Sequence, residues 1–455
     1  MKQRLTAFMG PSRLGAAPAM AIVLCATITA RADFFDDNPL AGGLHVGAIR
    51  TIVLPLESPP IGGFTPLVVF GLTDEKKSDQ GDWFAQATAP PGGNSLPFGL
   101  PAHYAVAFYD TGSQAHLFRE DDMAIFDLAS VGRVGTSTQV ISGLAGTETA
   151  TISDPVAVYI SGFDAATGGA SLSVNASALQ GHMNVAILTG EFGSILPNII
   201  GAPISHQYTT VIRNDQPQQL VIGSETFNSP LVELIPRSNS NPNSLFPDTQ
   251  FTATLSVEGL QGLINPTDPP AFVPNIFEPL LNFHDNPLSP TIHGLYMMDV
   301  DVIHNSLSQL DLRVLVDFGA DVSVISTQVA DDVGVDILAP GFVPDFTVDV
   351  DGAGGTLFNV PGIFLDSFNL DVLGGDLNYT NTPVLIVDLP DPRGGSIPLP
   401  GIVGTNLFTD RNLVLNRFEG NSFTLQISEI IPEPTTGTIL MAALGPLIIR
   451  RGRHC

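Results

Sequence analysis

The chain has 455 residues, 44 % hydrophobic and only 14 % charged, which is too long for one ordinary domain and apolar enough to bury large cores. Acidic residues outnumber basic ones 45 to 18, a formal net charge of −27, and a surface of that sign repels nucleic acid and anionic lipid. The two cysteines, Cys25 and Cys455, fall in terminal segments read below as targeting signals, so the body is expected to lack thiols, which excludes disulfides, cysteine catalysis and thiolate metal sites there.

From the N-terminus, Lys2, Arg4 and Arg13 precede a mostly apolar run over 16–30, and Ala30-Arg31-Ala32 supplies a small-x-small cleavage site before Asp33. Basic, apolar and small-residue regions in this order read as a secretory signal over 1–32. The alternative is an N-terminal anchor, but the run is shorter than the ~20 residues that span a bilayer. The region before residue 100 either adds strands or serves as a propeptide. A stretch over 87–101 rich in Pro, Gly, Ala and Asn is expected to be a linker, as is one over 238–248 that alternates Ser, Asn and Pro. Gly (45) and Pro (37) are abundant, and Val, Ile, Leu and Phe dominate the apolar set, a mixture that favours many short strands joined by turns. Short apolar or alternating runs predict strands at 104–109, 149–160, 186–189, 295–302, 312–316, 383–387 and 413–415. One short helix is predicted over 322–334, ended by Gly334. The chain closes on Pro432-Glu433-Pro434, an apolar run over 438–449, and Arg450, Arg451 and Arg453.

One internal repeat carries chemistry. Val106-Ala107-Phe108-Tyr109-Asp110-Thr111-Gly112-Ser113 in the first half matches Val314-Leu315-Val316-Asp317-Phe318-Gly319-Ala320 in the second. Each is an apolar strand that ends in Asp-x-Gly and a small residue. Downstream stand Ile199-Ile200-Gly201 and Ile402-Val403-Gly404. The aspartates are 317 − 110 = 207 positions apart and the glycines 404 − 201 = 203, which suggests two lobes of like architecture. Glycine runs at Gly143 to Gly146 and at Gly352, Gly354 and Gly355 lie between these motifs. They are either hairpins that cover a cleft or ordinary turns.

This pattern resembles the aspartic proteases, the second half most closely the retropepsin group. On that resemblance 314–326 is the catalytic loop, 351–355 the flap hairpin and 401–408 the closing motif. In the first half, 143–146 is the flap tip and 198–204 the closing motif. The resemblance spans roughly residues 45–425. It implies a mainly β fold of two duplicated pepsin/retropepsin-like β-barrel lobes with a central cleft, a first lobe over 33–237, a linker over 238–248 and a second lobe over 249–428. The C-terminal segment 432–455 resembles a PEP-CTERM sorting signal. That implies processing by an exosortase-type enzyme and export to the cell envelope or extracellular matrix of a Gram-negative bacterium. The arginines stay on the cytoplasmic side, and the membrane is met only through the signal and this transient tail.

The chemistry implied is hydrolysis of a peptide or protein substrate by water held between Asp110 and Asp317. One carboxyl must be ionised to accept the water's proton while the other is protonated to polarise the scissile carbonyl. Two carboxylates about 3 Å apart reach that state because both cannot ionise together, and they titrate as a unit. Gly112 and Gly319 permit the sharp turn and close backbone approach behind each aspartate, and Ser113 and Ala320 complete the loops. In the family the residue after the aspartate carries a hydroxyl that bonds across the lobes. Thr111 keeps it and Phe318 does not, so either that bond is lost or Phe318 packs and a backbone group substitutes. No cofactor or metal is required, and the body is expected to be a monomer. Asp299, Asp301, Asp349 and Asp351 form Asp-x-Asp pairs without full calcium-loop spacing, more simply read as solvated strand faces. The nine histidines form no His-Glu-x-x-His, and no Gly-x-Ser-x-Gly occurs. The competing reading is a weak or inactive protease-fold surface protein that binds peptide or polymer in the matrix.

Overall fold

The computed structural model describes residues 49–54, 61–73, 105–120, 134–153, 156–165, 172–183, 186–188, 198–206, 208–222, 225–236, 249–258, 294–352, 354–390, 397–417 and 423–431. The terminal signals and both expected linkers lie outside these residues.

The fold is mainly β, as the Gly- and Pro-rich, β-branched composition implies. The strands are β1 (Ile49–Leu54), β2 (Thr65–Thr73), β3 (Ala105–Asp110), β4 (Leu117–Arg119), β5 (Ser137–Gly143), β6 (Gly146–Ile152), β7 (Val156–Ala165), β8 (Leu172–Met183), β9 (Ala186–Leu188), β10 (Asn198–Gly201), β11 (Tyr208–Ile222) and β12 (Glu225–Pro236). There follow β13 (Thr249–Glu258), β14 (Leu295–His304), β15 (Leu307–Val316), β16 (Ser323–Ile325), β17 (Phe346–Gly352), β18 (Gly355–Leu370), β19 (Leu377–Ile386), β20 (Gly401–Val403), β21 (Leu413–Arg417) and β22 (Phe423–Ser428). Helix α1 (Thr327–Asp332) follows β16. Short 3-10 turns follow β10 (Ala202–His206) and β20 (Thr405–Phe408).

A joining sheet runs in the order β1-β12-β11-β21-β22-β13, every pair antiparallel. Its central contact, Val211 opposite Val414, pairs a strand of the first half with one of the second. On either side the same pairings recur. In the first half β3 runs parallel to β10, β10 antiparallel to β4, β4 parallel to β9, and β9 antiparallel to β6. In the second half β15 runs parallel to β20, β20 antiparallel to β16, β16 parallel to β19, and β19 antiparallel to β18. Short strands buried on both faces read as near-continuous apolar runs; β20 (GIV) fits this and β10 (NIIG) does so after Asn198, each being buried throughout.

One continuous core joins the halves. Phe70, Tyr109 and Phe118 belong to the same buried cluster as Tyr296, Phe318, Phe423 and Ile427. Each such side chain contributes about 1.5–3 kcal/mol by burial. The 3-10 turns add cross-ties. Thr405 Oγ1 donates to Phe64 O at 2.6 Å and accepts Phe64 N–H at 2.8 Å. Ser205 Oγ bonds Tyr296 Oη in the reverse direction across the halves.

Two expectations about local structure need correction. The run over 149–160 is not one strand but the end of β6 and the start of β7, with Ser153 outside both; alternation alone does not reveal where one ends. The helix expected over 322–334 begins only at Thr327. Residues Ser323–Ile325 pair with β19 and β20 instead, and Ser326 caps the helix by accepting Val329 N–H at 3.2 Å. Gly334, at φ 86, stands just past its end as expected.

Candidate active site

Strands β3 and β15 deliver Asp110 and Asp317 into facing loops. Asp110 closes β3 opposite Gly201 of β10. Asp317 follows β15, and its N–H donates to Val403 O of β20 at 3.1 Å. The expected hydrophobic-hydrophobic-Gly elements, Ile199-Ile200-Gly201 and Ile402-Val403-Gly404, therefore lie directly beside the aspartates they were paired with. Both glycines back the loops tightly. A Cβ on Gly201 would stand 2.6 Å from Ser113 O, and one on Gly404 2.7 Å from Val322 C. Behind them Ala202 N–H donates to Ser113 O at 2.8 Å and Thr405 N–H to Ala320 O at 2.9 Å.

The two carboxyls meet although 207 positions separate them (317 − 110). They lie close enough that each bears on the other's ionisation. Gly112 N–H reaches both, at 2.7 Å to Asp110 Oδ1 and 3.1 Å to Asp317 Oδ1. Ser113 N–H adds a bond to Asp110 Oδ1 at 3.1 Å, and Gly319 N–H one to Asp317 Oδ1 at 2.7 Å. Each glycine is pressed against the opposite carboxyl. A Cβ on Gly112 would lie 2.7 Å from Asp317 Cγ, and one on Gly319 2.6 Å from Asp110 Cγ. No other residue fits so close an approach.

Burial raises both carboxyls. It holds Asp110 well above the usual carboxylate range, and the Asp317 charge and the hydrogen bond to Asp317 raise it further against the Gly112 and Ser113 amides. Burial also lifts Asp317, opposed by the bond from Asp110 and by amides from Gly319, Gly112 and Ala320. Like charges held this close inside a low dielectric oppose each other, so ionising one carboxyl disfavours ionising the other.

Thr111 is buried, and its hydroxyl crosses to the facing loop. It donates to Val316 O at 3.1 Å and accepts Phe318 N–H at 2.9 Å. The Phe318 amide thus takes part in the Thr111 contact, while the Phe318 side chain, which has no hydroxyl, packs at 1 % exposure. Ser113 Oγ donates to Ala115 O at 2.8 Å, so its amide, not its hydroxyl, serves Asp110. Ala320 has no hydroxyl and packs at the margin of an apolar cluster that contains Val322, Val324 and Ile402.

The glycine runs form two-residue hairpin turns, with Gly143 opposite Gly146 and Gly352 opposite Gly355. The two tips touch. A Cβ on Gly354 would stand 2.7 Å from Gly146 Cα, and one on Gly352 3.1 Å from Leu144 Cβ. Leu144, like Val350, Leu357 and Ala320, packs against the second half's apolar cluster. Paired tips are a geometry that glycine at both contacts makes possible.

Some contributing residues were not singled out in the sequence. His116 Nδ1 accepts Gly201 N–H at 3.0 Å, and Ser323 Oγ accepts Gly404 N–H at 3.0 Å. Each stands six positions after its aspartate, a spacing that could have revealed them. Asn406 further fixes Ser323, its Oδ1 accepting the Ser323 amide at 2.9 Å and hydroxyl at 2.8 Å. The Asp-x-Asp residues serve strands rather than a common centre. Asp299 accepts Arg313 Nη1–H at 3.0 Å, Asp301 the Asp311 amide at 3.0 Å, Asp349 the Asn359 amide at 2.8 Å and Asp351 the Thr356 hydroxyl at 2.5 Å. Among the described residues no cluster of three or more metal-ligating side chains occurs.

Residues 300–407 match a family model described as aspartyl protease. The matched stretch holds Asp317, the second hairpin and Gly404, and stops short of the first half. No curated protein matches the chain.

Proposed function

We propose that the chain is an aspartic endopeptidase in which Asp110 and Asp317 jointly activate one water for attack on a peptide bond. The observation that carries this reading is the Gly112 amide bonded to both carboxyls, which holds two acids from distant parts of the chain in one site. The family match over the second half supports peptidase chemistry in general. On this reading the recurring strand pairings are two duplicated lobes, the paired hairpins cover a cleft, and an extended peptide lies between them, bonded along its backbone. The ionised carboxyl accepts the water's proton, and the protonated one donates to the carbonyl oxygen as the tetrahedral intermediate forms. The roles then reverse, and the proton passes to the leaving amine. No cofactor enters the scheme.

The terminal segments extend the proposal. A signal over 1–32 and a PEP-CTERM-like tail over 432–455 fit export, exosortase processing and a destination in the envelope or matrix of a Gram-negative cell. The test of the function is cleavage of an unfolded protein by the purified chain at acidic pH, and its inhibition by pepstatin, a mimic of the tetrahedral intermediate. The second reading, a non-catalytic binding protein, is favoured by one observation: Phe318 offers no hydroxyl to the facing loop. A folded sample that neither cleaves nor binds pepstatin would support it.

A further inference from the structure

We infer that Phe318 is a positioning residue, whose ring and amide together straddle Asp110 and fix its place against Asp317. This rests on reading the pair as the reaction centre. Thr111 and Phe318 follow the two aspartates at equivalent places, but only Thr111 carries a hydroxyl. The Phe318 amide is bonded to Thr111 Oγ1 at 2.9 Å, on the C-terminal side of Asp110. The Phe318 ring meets the Tyr109 ring on the N-terminal side, edge-on, with centroids 6.4 Å apart and planes at 69°. One residue of the second half therefore holds both neighbours of the first half's aspartate.

The clamp has a fixed base. Tyr109 Oη bonds Thr210 Oγ1 of β11 at 2.9 Å, and β11 is the strand that carries the first half onto the second through β21. Phe318 and Tyr109 are at most 1 % exposed and belong to the core common to both halves. Edge-to-face rings add directional attraction to burial, and a close-packed interior transmits a lost ring as displacement of its neighbours. The aromatic pair thus does the work that a second cross-loop hydroxyl would do, by packing instead of hydrogen bonding.

The experiment is a carbon-13 titration of the Asp110 and Asp317 carboxyls in the full chain, run beside peptide-hydrolysis kinetics. The wild type is expected to show two widely separated steps. In Phe318→Ala the steps should draw together by about one pH unit or more as contact between the carboxyls loosens. The kinetic loss should be about 10- to 100-fold in kcat with KM within twofold. Phe318→Thr, which restores a hydroxyl at the equivalent place, should not recover the wild-type separation. Phe318→Leu keeps most of the volume and should fall between, and it decides the matter if the alanine variant fails to fold. Unchanged titration steps in folded Phe318→Ala or Phe318→Leu, or wild-type steps in Phe318→Thr, would overturn the inference. Absence of hydrolysis by the wild type would defeat only the peptidase reading, since the titration still reports on Phe318.

Discussion

Thr111 spans the junction by one oxygen, which accepts the Phe318 amide at 2.9 Å and donates to the Val316 carbonyl at 3.1 Å. Those two backbone groups flank Asp317, so the hydroxyl of the first loop sets the path of the second. Replacing Thr111 by Val keeps the shape but leaves a buried N–H and a buried C=O without partners. Each orphaned group costs roughly 1–3 kcal/mol. Thr111→Val is expected to lower the urea midpoint and kcat together, and Thr111→Ser to preserve both. Denaturant melts with matched kinetics check this.

Gly112 and Gly319 each abut the carboxyl of the opposite loop. A methyl on either must push Asp317 or Asp110 aside. A displacement near 1 Å at a reacting group costs about 10²-fold in rate. Gly112→Ala and Gly319→Ala are expected to lose activity by at least that factor and also to unfold at a lower temperature than the wild type, since overpacking so close a contact costs about 1–3 kcal/mol. Steady-state kinetics and calorimetry separate the two effects.

His116 and Ser323 do one job with different chemistry, each accepting the amide of the glycine beside its aspartate. His116→Ser keeps an acceptor in the first half, as Ser323 provides in the second. His116→Leu removes it and strands the Gly201 amide in the core. The leucine variant should be the less stable of the two by about 1–3 kcal/mol, measured by equilibrium unfolding in urea.

Both dyad carboxyls are raised by burial, and this has a sign for stability. Above the ordinary carboxylate range the folded protein binds more protons than the unfolded chain. Stability from these groups is therefore full at acidic pH and is lost as pH rises through their folded values. Asp110→Asn or Asp317→Asn removes the buried charge, so each variant is expected to melt higher than the wild type at neutral pH. The difference should shrink toward acidic pH. Thermal melts across a pH series measure it.

The hairpin tips offer a lock, because a Cβ added at Gly352 would stand 3.1 Å from Leu144 Cβ, slightly inside the usual disulfide spacing of about 3.5–4.5 Å. The pair Leu144→Cys with Gly352→Cys is expected to form a bridge on oxidation. If the hairpins cover the cleft, the oxidised form loses turnover of a protein substrate and reduction restores it. Equal rates in both forms would show that the tips do not gate entry.

Much of the site was legible in the sequence because its parts are local. An apolar strand running into Asp-x-Gly specifies a turn behind a carboxylate, and Ile-Ile-Gly and Ile-Val-Gly specify buried strands with close backbone approach. What those segments do to each other is not local. Nothing in the sequence says that the Phe318 ring finds Tyr109, or that Thr405 ties to Phe64, 341 positions away. His116 escaped notice because its counterpart Ser323 shares a role but not a residue type. The strands are legible where alternation or apolar runs are clean, as at β14 and β21. The split between β6 and β7, and the late start of α1, depend on which strand edges are free to pair, which only the folded neighbours decide.

The central claim is that Asp110 and Asp317 act as one unit, and side-by-side cleavage assays test it most directly. Wild type, Asp110→Asn and Asp317→Asn would be compared on the same unfolded protein at acidic pH. The account predicts that each single substitution lowers the rate by about 10²–10⁴-fold or more, to similar levels. Either variant cleaving at the wild-type rate would contradict it.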